Sequence, residues 1–364
     1  MEAREASRMP TQEKPTMKTI ADMLGISIGT VDRALKNRGR IHEDTRKRVL
    51  ETAQKLGYRP NTLASTLSRA RQLRVVALYP AKDEVFFNEI SSGMAAALRD
   101  LNGYGVTLER MHTIRHSLSS QMNMLQKLSD RLEEWDALII AAAHPNALNE
   151  RLNSFVSAGK VVITIDSDAV ASQRLFFVGQ DQYRSGCVAA NLMGEFLQGR
   201  GKVLLMTGFH SVWGHEQRLE GFCDVLHKRY PAMETVGPVE YFDEDFTARE
   251  LLRDALREHT DLAGIYGTSS VALAQAAAVL EQRGDAPKIR LVGFDTDDEI
   301  AQYIRAGIID CAILQEPFAQ GYYALKLLAR HVFEGWEPRR SCYFTRMEIL
   351  LRENAHGNEL PMLN

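Results

Sequence analysis

Aromatic, acidic, guanidinium and amide side chains recur directly after short β-branched runs in this 364-residue sequence. Phe86-Phe87-Asn88 follows the run at 74–79, Asp166-Ser167-Asp168 closes the run at 161–166, and Phe242 follows the run at 236–241. Asp295 ends V-G-F-D, Gln315 shortly precedes Pro317 and Gly321, and Arg218 lies in R-L-E-G-F. Such a set suits a small polyhydroxylated ligand. Aromatic faces cover the C–H faces of a ring, while Asp, Arg and Gln satisfy hydroxyls through strong hydrogen bonds. Each residue alone has a plainer explanation: Phe86 or Phe87 fits a core, and Asp166 or Asp295 could cap the helix that follows. Their convergence at several strand ends favours the ligand site.

Covalent and metal chemistry find less support. The sequence holds no P-loop, no G-x-G-x-x-G after a strand, no H-E-x-x-H and no G-x-S-x-G. His112 and His116 stand four apart without an evident third ligand and read as a surface pair; Asp295, Asp297 and Asp298 lack the Gly and Glu of a calcium loop. No catalytic residue, metal or cofactor is therefore expected. Cys187, Cys223, Cys311 and Cys342 form no C-x-x-C and read as free, buried thiols in a reducing compartment.

The elements that must hold the ligand residues begin near residue 73. Strand-like runs at 74–79, 106–109, 137–141, 161–166, 175–178, 203–207, 236–241, 263–266 and 289–294 are separated by amphipathic stretches. Those stretches fall at 87–101, 121–132, 183–197, 216–229, 248–258, 271–283 and 320–333. Alternating β and α elements specify parallel sheets with right-handed crossovers. About 280 residues exceed what one sheet usually takes, so two α/β lobes are expected, with ligand in the cleft at the carboxyl ends of their strands.

Residues 19–37 follow a different grammar. Ile20, Ala21, Leu24, Ile26, Val31, Ala34 and Leu35 give two short helices an apolar face each. Gly25 between them can take left-handed angles, and Ser27 can cap the second helix. The result is a helix-turn-helix, whose second helix can enter a DNA major groove, or else an ordinary helical hairpin. A third amphipathic helix is expected over 41–56. Charge divides in the same way. Residues 1–72 hold 15 Lys+Arg against 8 Asp+Glu, or +7; the remainder holds 29 against 39, or −10, and together they give −3. A basic head on an acidic body suits a head that faces phosphate.

The chain closely resembles the lac repressor/GalR family of bacterial transcription regulators. I-A-D-M-L-G-I-S-I-G-T-V-D-R-A-L at 20–35, T-R-K-R-V at 45–49, L-G-Y-R-P-N at 56–61 and A-x-x-L at 64–67 carry the resemblance, and looser motifs extend it to about residue 350. It implies base reading by Ile28, Gly29 and Arg33, with Gly29 departing from a family that usually has a side chain there. Arg33 can donate two hydrogen bonds to guanine. Thr19, Ser27, Thr30 and Asn37 are placed for phosphate contacts. Asn61, Ala64 and Leu67 fall in the family's hinge helix, where a leucine wedges into a minor-groove step and kinks the duplex.

For the body the resemblance implies a periplasmic-binding-protein-like sensor of the ribose-binding type. Ser167 stands where that branch often has Arg, and Thr268-Ser269 where it often has Asn-Asp. Both changes shorten the side chain and point to a roomier pocket or a different sugar or polyol. The expected organisation is a disordered leader at 1–15, the head at 16–58, a hinge at 59–72 and the sensor at 73–352. Lobe 1 takes about 73–180 and 316–342, lobe 2 about 181–315 and 343–352, and a tail follows at 353–364. The chain should cross between lobes near 180–181, 315–316 and 342–344.

A homodimer on a pseudo-palindromic operator is expected, most simply a repressor, its DNA affinity set by a monosaccharide or polyol. A purine or phosphorylated metabolite is the alternative effector. The short tail without heptads argues for a dimer rather than a tetramer. A secreted solute-binding protein fits the sensor half, but the basic head and the polar start of the chain argue against it. No membrane span is expected, and the cytoplasm is the expected location.

Overall fold

The computed structural model describes residues 17–36, 41–56, 72–80, 85–284 and 287–355. The chain separates into two compact units at Arg71–Gln72. Asn37, the hinge positions Asn61, Ala64 and Leu67, the leader, and the tail beyond Ala355 lie outside the described residues.

The first unit contains α1 (Met17–Leu24), α2 (Ile28–Lys36) and α3 (Glu43–Lys55). Their apolar faces meet in a small core of Ile20, Ala21, Val31, Ala34, Val49 and Ala53. Gly25 turns the chain between α1 and α2 at φ +64°, a conformation strained for any residue with a Cβ. Ser27 Oγ accepts from the Thr30 amide at 3.1 Å, which satisfies one free N–H of the first turn of α2.

The second unit starts with β1 (Leu73–Pro80), α4 (Val85–Asp100), β2 (Val106–Thr113), α5 (Leu118–Ser129), β3 (Ala137–Ile140), α6 (Asn149–Ser157), β4 (Val161–Ile165) and β5 (Phe177–Gly179). It continues through α7 (Gln182–Phe196), β6 (Arg200–Thr207), α8 (Trp213–Arg229), β7 (Ala232–Glu240), α9 (Asp245–Glu258), β8 (Leu262–Gly267), α10 (Ser270–Glu281), β9 (Arg290–Phe294) and α11 (Asp298–Ala306). Last come β10 (Cys311–Leu314), α12 (Pro317–Glu334), β11 (Cys342–Phe344) and β12 (Glu348–Leu350).

Two six-stranded sheets result, ordered β11-β5-β4-β3-β1-β2 and β12-β10-β9-β8-β6-β7. Among the described residues every pairing is parallel except that of β10 with β12. These are the doubly wound lobes the alternating pattern implies. Strand alternation builds a core on each face: Val75 and Ala77 of β1 join one cluster while Val76 and Leu78 join the other. In β6, Leu204 and Met206 face one side, Val203 and Leu205 the other.

The sequence pattern missed β10, β11, β12, α6 and α11, which are short elements without a long β-branched run or a long apolar stripe. The chain passes between sheets after β5, after β10 and after β11. Residues 342–344, expected as the third passage, themselves form β11 of the first sheet, so the passage follows them. The three passages are tied to one another. Gln180 Nε2 donates to the Leu314 carbonyl at 2.8 Å, the Thr345 amide to the Gly179 carbonyl at 2.8 Å, and Thr345 Oγ1 to the Gln315 carbonyl at 2.9 Å.

Helix pairs brace both lobes. Gly93 of α4 lies against the Phe318 carbonyl of α12, and Gly321 of α12 against the Ile90 carbonyl of α4; an added Cβ would come within 2.0 Å of either oxygen. Gly186 of α7 and Gly221 of α8 repeat the device in the second lobe.

Candidate functional site

Corresponding positions of the two lobes converge at the carboxyl ends of the strands. Asp166 follows β4 and Asp295 follows β9, and both hold left-handed backbone, at φ +58° and +65°. Non-glycine residues in that region cost energy and collect at functional sites. A cleft of about 1060 Å³ opens there. It is lined by Phe86, Phe87, Asp166, Ser167, Gln182, Arg218, Asp295 and Gln315, and by His116, His215, Asp243 and Ser269.

Arg218 is the centre of this arrangement. Its side chain, on α8, is 3% exposed; its guanidinium lies over the Phe294 ring at 3.9 Å, donates from Nε to Gln182 Oε1 at 2.8 Å and from Nη1 to the Thr268 carbonyl at 2.6 Å. Burial pulls its pKa below the ordinary arginine value, against the opposing fields of Asp295 and Asp166. Gln315 Nε2 donates to both oxygens of Asp295 at 2.9 Å, and Gln182 Nε2 donates to Gln315 Oε1 at 3.2 Å. Burial raises the Asp295 pKa, while Arg218 and Gln315 draw it down. A guanidinium, a carboxylate and two amides are thus fixed in place by one another. Ser167 Oγ is buried without a hydrogen-bond partner and faces the same space.

Not every expected residue reaches the cleft. Phe242 is about half exposed and packs edge-on against Phe209 instead, while its neighbour Asp243 lines the cavity. Thr268 is buried and contributes its carbonyl to Arg218; its hydroxyl bonds Thr207. Asp168 is turned away, buried in an ion pair with Arg174 and hydrogen-bonded by Thr164 Oγ1 at 2.6 Å. The cap on α11 is Asp297, which accepts from the Ile300 amide at 2.7 Å, so Asp295 is left for the cleft.

His116 is half-buried rather than free on the surface. It packs against Phe87 and faces His215 with ring centroids 6.4 Å apart, and burial lowers its pKa to about 4. Burial, then the charge of Arg218, keeps His215 neutral as well. The Phe209 amide donates to His215 Nδ1 at 3.3 Å, which assigns the proton to Nε2. Spacing offered one signal for His215: it precedes Arg218 by three residues on α8 and shares its face. The four cysteines are free, Cys311 buried and the others half-buried. Among the described residues no cluster of His, Cys, Asp or Glu could hold a metal.

On the head, the expected base-reading residues form one exposed surface. Ile28 is 47% exposed, Gly29 and Arg33 are exposed, and Arg33 Nε donates to the Gly29 carbonyl at 3.1 Å. Thr19 and Ser27 are exposed and Thr30 is half-buried.

Residues 75–335 match the family described as "Periplasmic binding protein domain", and residues 16–61 match "Bacterial regulatory proteins, lacI family". The ribose operon repressor of Halalkalibacterium halodurans is 26% identical over 77% of this chain and 80% of its own. GanP, a glucose-galactose binding protein from Geobacillus stearothermophilus, superposes with a TM-score of 0.72 at 25% identity, over 80% of this chain and all of GanP. A solute-binding protein from Burkholderia graminis, in complex with D-arabinose, superposes with a TM-score of 0.71 at 24% identity, over 78% of this chain and 96% of that one.

Proposed function

We propose, for a chain that belongs to the periplasmic binding protein domain family and whose head belongs to the lacI family of bacterial regulatory proteins, the function of a transcriptional repressor controlled by a small sugar or polyol. The observation that carries this is the preorganised Arg218–Gln182–Gln315–Asp295 network in the cleft of a body joined to a DNA-reading head. Donors and acceptors alternate in that network as a polyhydroxylated ring requires, and Phe86 and Phe87 supply aromatic cover. The names of its relatives, a ribose operon repressor and a glucose-galactose binding protein, point the same way.

The charge of the lining argues for a neutral effector over a phosphorylated one. Among the described residues nine carboxyl side chains line the cleft (Glu89, Asp166, Asp243, Asp245, Asp295, Asp297, Glu299, Glu316 and Glu348), against the two guanidiniums of Arg115 and Arg218. An anionic ligand would enter against that field.

As a homodimer in the cytoplasm, the protein places two α2 helices on a pseudo-palindromic operator. Ile28, Gly29 and Arg33 meet base edges, and Thr19, Ser27, Thr30 and Asn37 meet phosphates. Asn61, Ala64 and Leu67 belong to a hinge that pairs across the dyad. No turnover of the ligand is part of this function. The effector acts only through its different affinity for the DNA-bound and free states. The test begins with thermal-shift screening of neutral monosaccharides, polyols and their phosphates, followed by operator binding with and without the best ligand. Stabilisation by a neutral sugar and a changed operator affinity are expected. Equal operator affinities at saturating ligand would sink the reading.

A further inference from the structure

One contact across the cleft lies outside the Arg218–Gln182–Gln315–Asp295 network. Arg115, in the segment joining β2 to α5, donates from Nη1 to the carbonyls of Asp243 at 3.2 Å and Phe242 at 3.5 Å, in the segment joining β7 to α9 of the opposite lobe. All three residues hold left-handed backbone: φ is +47° at Arg115, +57° at Phe242 and +51° at Asp243. Consecutive left-handed residues present two carbonyl oxygens to one guanidinium nitrogen, a geometry that needs a reason to persist.

Both sides are braced. Thr113 Oγ1 donates to the Arg115 carbonyl at 2.8 Å, and the Ile114 amide donates to Ser120 Oγ at 3.1 Å. Opposite, the Phe242 amide donates to the Gly208 carbonyl at 2.8 Å. The Asp243 carboxyl is pressed on Gly208 so closely that a Cβ there would lie 1.9 Å from Oδ1, an oxygen buried without a partner. The next residue after Arg115, His116, makes the ring contact with His215 of the other lobe. Two successive residues of lobe 1 therefore close on lobe 2 at the cleft.

We propose that Arg115 is a positioning residue of the ligand cleft: by holding the carbonyls of Phe242 and Asp243 it clasps the lobes at the mouth and sets how long a ligand stays inside. The inference rests on the sugar-sensor reading. A clasp that forms after the ligand has entered slows dissociation and leaves association nearly untouched. Arg115 is exposed, so its replacement leaves the folded core intact.

The full chain, Arg115→Ala and Arg115→Lys are compared by stopped flow with whichever of D-ribose, D-arabinose, D-galactose, D-glucose and ribitol stabilises the wild type. Arg115→Ala is expected to release the ligand about tenfold faster with association changed by less than about twofold, and Arg115→Lys to restore part of the difference. Equal dissociation rates would overturn the clasp. If no compound in the panel binds the wild type, the sugar reading fails by itself. Hydrogen exchange at 114–117 and 242–245 then decides the clasp: faster exchange in Arg115→Ala supports it, and unchanged exchange overturns it.

Discussion

At the scale of single residues, an ion pair turned away from the cleft serves the fold. Asp168 and Arg174 have side chains only 1% and 5% exposed and satisfy each other. Arg174→Met should leave the Asp168 carboxylate buried and uncompensated, costing about 3–5 kcal/mol in chemical denaturation with little direct effect on the cleft. His116 offers a pH test. Its folded pKa of about 4 lies below the ordinary value near 6.5, because burial between Phe87 and His215 disfavours the imidazolium. Between those two values the unfolded chain binds a proton that the folded chain refuses, so this residue's contribution to stability is present above pH 6.5 and is lost as pH falls to 4. His116→Gln should therefore flatten the drop in Tm over that window relative to wild type; identical profiles would show the imidazole to be unperturbed. Asp295 and Arg218 were legible in the sequence because they sit at strand and helix positions the fold class singles out. Asp243 and Gln182 were not, since a polar residue beside a predicted boundary looks like any loop residue.

At the scale of elements, glycine shows how closely helices approach. Gly93 and Gly321 place backbone on backbone between α4 and α12, and a methyl group at either would strike a carbonyl oxygen rather than a movable side chain. Gly93→Ala and Gly321→Ala should each cost about 1–3 kcal/mol through overpacking. Gly29, by contrast, has only Ser27 Oγ at 3.9 Å from an added Cβ, so Gly29→Ala should be neutral or raise head stability by up to about 1 kcal/mol through helix propensity. Thermal melts of the three variants decide between these outcomes. Periodicity located the long strands and helices of the body, where many residues vote together. It failed on α6 and α11, nine residues each, and on the three- and four-residue strands β10, β11 and β12. So short a window holds barely two turns or two alternations, and pairing to neighbouring strands decides the structure instead.

At the scale of the whole molecule, charge and architecture divide the work. In the proposed function, the +7 of residues 1–72 against the −10 of the remainder places DNA affinity at the head end of the chain and makes it electrostatic in large part. Operator binding by the full chain should fall roughly a hundredfold or more between 50 and 200 mM salt, as counterion release requires for several phosphate contacts. A fluorescence-anisotropy titration at several salt concentrations measures it, and a flat response would remove the phosphate-facing role of the head. In the proposed function the effector acts on that affinity through the lobes, whose three passages are hydrogen-bonded to one another at Gly179, Gln180, Leu314, Gln315 and Thr345.

By itself the sequence determined the helix-turn-helix, the alternation that makes two parallel-sheet lobes, and the strand ends at which a ligand site belongs. Each of these is written in local periodicity and in residues with special backbone needs, such as Gly25 and Ser27. Only the tertiary structure decided which strand-end residues converge. It turned Asp168 toward Arg174 and Phe242 toward Phe209, and it brought His116, Arg115 and Asp243 to the cleft from segments far apart in the chain. The reason is physical: where a side chain points after a strand depends on left-handed turns and on distant partners, such as Leu314 for Gln180, 134 residues away, and local spacing carries no record of either.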